Sequence, residues 1–144
     1  MPHIPFTGNI PDDRLYCPEY DMWVQEIDGG EQLIGATRFG IFLAGEIIAF
    51  TCKPKGAEVA IGRGMGTVEC RKTVLAVHAP ISFILLEGND AAEEQPKRVN
   101  LDPYGAGWMA RVRATHWVAE KAGLVDAAAY RRHILTIEPE ANFV

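Results

Sequence analysis

The stretch Val68-Glu69-Cys70-Arg71-Lys72-Thr73-Val74 decides the fold. Apolar Val68 and Val74 stand on either side of a polar tip, and residues 67–70 and 73–77 both read as strands. The pattern predicts a β-hairpin with Lys72 at or beside its turn, in solvent. A lysine so placed can enter a modifying enzyme's active site while the strands hold its backbone stiff. Acylation would remove its charge. A long arm on it would raise the effective concentration of a tethered group at a docked partner. The plain alternative for the heptapeptide alone is a surface lysine in a turn.

Working outward, Gly62-Arg63-Gly64-Met65-Gly66 precedes the hairpin and Ala79-Pro80 follows it. The glycines lack the spacing of a phosphate loop and read as a tight connection between strands. Beyond Pro80, Ile81, Phe83 and Leu85 alternate with Ser82 and Ile84, the period of a strand. Upstream, Asp28-Gly29-Gly30 between two β-prone runs signals another hairpin. Residues 14–113 therefore read mostly as short strands between turns. Residues 117–123 and 126–134 read as helices, the second with Asp126 as its N-cap. Residues 1–13, with Pro2, Pro5, Gly8 and Pro11, read as a flexible extended arm, and 136–144 as a tail without pattern. The expected fold is mainly β with short C-terminal helices, one domain over 14–135.

The bulk properties narrow the function. The 144 residues are 48% hydrophobic, enough to build a core. With 14 basic and 19 acidic side chains, the net charge of −5 argues against nucleic acid or an anionic membrane surface as partner. Cys17, Cys52 and Cys70 are odd in number and widely spaced, so no disulfide framework is expected. Without a secretory signal pattern or a long apolar run, the chain reads as cytoplasmic. His3, His78, His116 and His133 do not pair at ligand spacing with a cysteine or carboxylate, so no structural metal is expected. No nucleophile–base pair is visible either, which argues against an enzyme.

Residues 69–82, ECRKTVLAVHAPIS, resemble the lipoylation segment of the glycine cleavage system H-protein family, which typically reads E-S-V-K-A-V-S-D-L-Y-A-P-V-S-G. Glu69, Lys72, Val74, Ala79, Pro80 and Ser82 fall on matching places. Residues 99–108, VNLDPYGAGW, are similar to the family's V-N-x-D-P-Y-G-x-G-W. Tyr16 and Trp23-Val24 resemble Y-x-x-E-H-E-W-V with one extra residue. The resemblance covers about residues 14 to 135. It implies a barrel-sandwich hybrid fold, lipoate attached covalently through Lys72, and Glu69 as the residue that the lipoylating enzyme recognises. It implies a non-catalytic carrier, expected as a monomer. Its partners would be lipoylating enzymes, with dihydrolipoamide dehydrogenase as a further one.

The departures bear on pathway. Tyr20-Asp21-Met22 stands where the family has E-H-E, a part of the surface that helps to receive the loaded arm. Arg71 and Phe83 replace small residues, and Cys70 replaces serine. Together with the segment 129–141, these resemble a divergent branch, the lipoate-binding proteins of sulfur-oxidising microbes. That branch implies a sulfur-bound intermediate and a heterodisulfide-reductase-like complex as partner. The alternatives are a glycine-cleavage H-protein shuttling methylamine among glycine cleavage components, and a non-lipoylated interaction module that kept the fold. Cys70, two residues before Lys72, would share its face on a continuous strand and could exchange with a dithiolane; the plainer reading is a small residue in place of serine.

Overall fold

The Asp28-Gly29-Gly30 signal produces a hairpin because both glycines adopt positive φ (77° and 72°), which the return of the chain requires. Its strands pair Val24 with Ile34 and Ile27 with Glu31. The computed structural model describes residues 3 to 144; Met1 and Pro2, at the start of the expected arm, lie outside the described residues. In chain order the elements are β1 (Thr7–Gly8), β2 (Leu15–Cys17), β3 (Met22–Ile27), β4 (Glu31–Ala36) and helix α1 (Arg38–Ala44). Then come β5 (Ile47–Cys52), β6 (Glu58–Val59), β7 (Gly64–Cys70), β8 (Thr73–His78) and β9 (Phe83–Gly88). The short helices α2 (Asp90–Glu94) and α3 (Lys97–Leu101) lead to β10 (Ala110–Ala114); α4 (Trp117–Lys121) and α5 (Ala127–Ile137) precede β11 (Asn142–Phe143).

Two sheets carry the fold, in the orders β2-β3-β4-β10-β9-β6 and β5-β7-β8. They share one apolar core, to which Val24, Ile34, Phe50, Met65, Val68 and Phe83 contribute. Alternation along β3 feeds a second core on the opposite face: Trp23 is buried there with Tyr16, Phe39 and Tyr130. This is a mainly β barrel-sandwich hybrid with short helices, as the sequence implies. Of the glycine-spaced stretch only Gly62-Arg63 serves as the connection, while Gly64, Met65 and Gly66 belong to β7. Gly62 has φ +82°, and a Cβ on Gly66 would lie 2.4 Å from the Thr51 carbonyl oxygen.

The helices at 117–123 and 126–134 form as α4 and α5. Asp126 caps α5 by accepting from Ala129 N (2.9 Å), and Tyr130 and Ile134, four residues apart, bury one face. Tyr130 stacks on Tyr16 with ring centroids 4.8 Å apart. Within 14–113 the structure adds α1, α2 and α3, which the strand reading omits. Thr37 starts α1, its side chain accepting from Gly40 N, and Phe39 anchors it in the second core.

The segments read as a loose arm and a patternless tail are packed instead. Thr7–Gly8 pairs in parallel with Asn142–Phe143, and Phe6 and Ile10 are buried in the second core. The physical reason is apolar area: two large side chains find a surface between α1 and α5, and their burial outweighs the turn tendency of the prolines.

The segment 99–108 is a brace. Asn100 accepts from Ile47 N (2.9 Å) and donates to Ile47 O (2.8 Å), fixing the start of β5. The indole of Trp23 donates to Pro103 O (3.1 Å), and the Arg14 guanidinium lies 4.6 Å above the Trp23 ring. Gly35 lies under that ring: a Cβ there would lie 2.6 Å from it. Gly35→Ala is therefore expected to lower the free energy of unfolding by about 1–3 kcal/mol, the usual cost of overpacking, read by urea denaturation.

Candidate functional site

Strands β7 and β8 pair Val68 with Leu75, Glu69 with Val74 and Cys70 with Thr73, which leaves Arg71 and Lys72 as a two-residue turn. Alternation then sorts the side chains. Val68 and Cys70 are buried in the core, whereas Glu69 and Val74 lie on the outer face. Lys72 is exposed at the tip. Among the described residues no carboxylate lies within ion-pair distance of its amine. Arg71 instead meets Glu46 at 3.2 Å, both well exposed, a contact that water screens heavily.

The same-face expectation for Cys70 and Lys72 does not hold. The strand ends at Cys70, so alternation stops before Lys72, and Cys70 turns inward with its thiol pushed up by burial. It is a core residue. Cys17 is buried as well, and Cys52 is half-buried, as expected of small side chains.

The exit of the hairpin is fixed at the Ala79-Pro80-Ile81-Ser82 corner. Ser82 donates from N (2.6 Å) and from Oγ (2.8 Å) to the Glu120 carboxylate of α4, and its Oγ accepts from Ile61 N (2.9 Å). At the end of β8, His78 donates from Nδ1 to Gly62 O (2.9 Å), and its ring stacks on Tyr20 at 4.9 Å.

Beside the hairpin lies an apolar pocket of about 270 Å³. Gly40, Leu43 and Ala44 of α1 form one wall, and Val68 and Leu75 of the hairpin form another. Leu75 is three residues from Lys72, about 10 Å along a strand. A group on a long acyl arm at Lys72 can therefore reach the pocket.

Sequence reasoning missed the hydrogen-bonded carboxyl of Asp21, a residue at the pocket's edge with φ +53°. Tyr130 donates its hydroxyl proton to Asp21 Oδ1 (2.8 Å) and accepts from Thr37 Oγ1 (2.7 Å), while Thr37 Oγ1 accepts from Gly40 N (3.0 Å). Burial raises the Asp21 carboxyl above the usual range, and the Tyr130 hydrogen bond opposes that rise. The one sequence signal was the departure at Tyr20-Asp21-Met22. Its partners lie far along the chain, so the network itself left no local mark.

The fold and the site define a carrier domain: a stiff hairpin that presents a free lysine beside an apolar pocket. The description of the matching family model is "Glycine cleavage H-protein", and it covers residues 14–137. A glycine cleavage system H protein of Beutenbergia cavernae is 36% identical over 122 residues, covering 85% of this chain and 94% of its own. One from Chlorobium limicola is 39% identical over 130 residues, covering 88% and 98%. The crystal structure of a glycine cleavage system H protein from Mycobacterium marinum matches with TM-score 0.73 and 30% identity, covering 85% of this chain and 97% of that one. The chain belongs to the glycine cleavage H-protein family. As a member it is a non-catalytic carrier of covalently attached lipoate. The sulfur-oxidising branch finds no support in these relatives, whose names all point to glycine cleavage.

Burial gives a direct expectation for the thiols. The Cys52 thiol is pushed up to about 11, first by burial and then by the nearby Glu93 carboxylate. At pH 8 about one part in a thousand is thiolate, and the thiolate is the reactive form. Alkylation of the native protein with iodoacetamide is expected to modify none of the three cysteines promptly at pH 8. The Cys52 rate should rise about tenfold per pH unit up to pH 10, and all three should react in denaturant.

Proposed function

We propose that lipoate is attached at Lys72 and that the chain serves as the H-protein of a glycine cleavage system, shuttling a methylamine unit between its components in the cytoplasm. The observation that carries this reading is the free amine of Lys72 on a two-residue turn beside an apolar pocket. The residues fit the group. The amine is accessible and unpaired among the described residues, and the pocket is apolar enough for a dithiolane ring. When bound, lipoate supplies a dithiol on which a fragment is held as a thio-adduct. The chain holds the lysine still, and the pocket excludes water from whatever enters it.

Glu69 would be the mark read by the lipoylating enzyme. It is exposed on the outer face of β7, next to the turn, and has no ion-pair partner among the described residues. A lone carboxylate there suits a cationic group on the modifying enzyme. Methylamine as the cargo is supported by the family match and by relatives named as glycine cleavage system H proteins.

A second reading keeps the arm and changes the cargo. Met22 is buried in the core and Tyr20 is stacked on His78, so neither supplies the polar contact implied at the family's E-H-E positions. That favours a sulfur-bound intermediate, delivered to a heterodisulfide-reductase-like complex. Lipoylating enzymes would be partners under both readings, with dihydrolipoamide dehydrogenase reoxidising the dithiol under the first.

A lipoate ligase acting on the unmodified protein tests the site. Lys72→Arg should abolish incorporation, and Glu69→Ala should slow it about tenfold or more, the effect of losing one charge-assisted contact. Full incorporation into Lys72→Arg would remove the assignment. The glycine decarboxylase and aminomethyl-transfer components test the cargo. Turnover supported by the lipoylated chain favours methylamine, and its absence with a competent control carrier favours the second reading.

A further inference from the structure

The family match spans residues 14–137, and the segments outside it meet in space. Asn142 N donates to Phe6 O (2.8 Å) and Val144 N donates to Gly8 O (3.1 Å), joining β1 and β11. This clasp lies against α1. Phe6, 2% exposed, packs edge-on against Phe39 (ring centroids 5.3 Å) and Phe42 (5.4 Å) of α1, and against Phe143 (6.3 Å) of β11. Arg38, the first residue of α1, donates from Nε to Asn9 Oδ1 (2.7 Å).

Helix α1 has seven residues, too few to be stable by itself in water. Its position therefore comes from what it packs on. One side, through Phe39 and Phe42, rests on the clasp. The other side supplies Gly40, Leu43 and Ala44 to the wall of the pocket beside the Lys72 hairpin. The clasp is thus one of the supports of that wall, beside the Thr37 cap, the second core under Phe39 and the Tyr104 contact to Arg38 N. From this we infer that the β1–β11 clasp is a positioning element for the pocket: residues outside the stretch matched by the family model, 14–137, help to set how closely a group tethered at Lys72 is held. The inference rests on the reading of Lys72 as the attachment point and of the pocket as the arm's resting place.

Phe143 is the mildest handle, being partly exposed and remote from the two cores' centres. Asn142→Pro is a second, because it removes the N–H that donates to Phe6 O without touching an aromatic ring. The first readout needs no lipoate. In Phe143→Ala and Asn142→Pro of the unmodified protein, hydrogen exchange at Ile41 N and Gly45 N, the amides that close α1, should speed up about threefold to tenfold. The amides of β7 and β8 should be unchanged. The second readout uses the reduced lipoylated chain and the neutral reagent 4,4′-dithiodipyridine. The wild-type dithiol should react more slowly than free dihydrolipoamide, and both variants should lose about threefold or more of that protection. Lipoate incorporation should stay at the wild-type level. Unchanged α1 exchange in a folded variant would overturn the proposal, as would unchanged protection. A wild-type arm that reacts like free dihydrolipoamide would overturn the pocket reading instead, whatever the exchange of α1 shows.

Discussion

The inward packing of Val68, Cys70 and Val77 fixes the register of β7 and β8, and the site depends on that register. Side chains along a strand alternate, so a slip of one residue would carry Glu69 into the core and Val68 into water. Burying an unpaired carboxylate is costly, which leaves one pairing. In that pairing the turn falls on Arg71 and Lys72, and the lysine is in solvent because it has no strand partner. The exposure of Lys72 is thus a consequence of the hairpin's hydrophobic face. Corner contacts then stiffen it: Glu120 holds Ser82, and His78 holds Gly62.

A second constraint comes from Trp23. Its indole fills the space that Gly35 leaves empty, donates to Pro103 O and lies under Arg14. The brace around residues 99–108 therefore couples three parts of the chain. Asn100 sets the start of β5, Pro103 receives Trp23, and Tyr104 accepts from Arg38 N (3.1 Å) at the start of α1 while donating to Asn9 O (2.9 Å). The sequence reading took this segment as a mark of family. The contacts give it a mechanical role, since it holds the start of α1, one wall of the pocket, and Ile47, which also lines it.

Much of this was legible in the residues. The hairpin, its exposed lysine, the strand at Phe83 and the cap at Asp126 each rest on a local rule, and local rules survive in the folded chain. The motifs around Lys72 and in 99–108 carried the family. Helix α1 was not legible because Arg-Phe-Gly-Ile-Phe-Leu-Ala has almost no polar face; packing on the clasp and the Thr37 cap make it helical. The same-face alternative for Cys70 fails because it extends strand alternation through a turn, and the plainer reading of a small residue in place of serine fits its burial. The clasp and the Asp21–Tyr130 pair escaped for one reason: their partners are more than a hundred residues apart, and nothing in a short window records such a pairing.

The central claim is that Lys72 carries the lipoyl group. Peptide mass spectrometry on the protein from its native host, prepared under thiol-preserving conditions, tests it most directly. The account predicts a lipoyl mass on the peptide containing Lys72 and on no other lysine. A bare Lys72 in a host whose lipoylation enzymes are working would contradict the account and leave an interaction module with the carrier's fold.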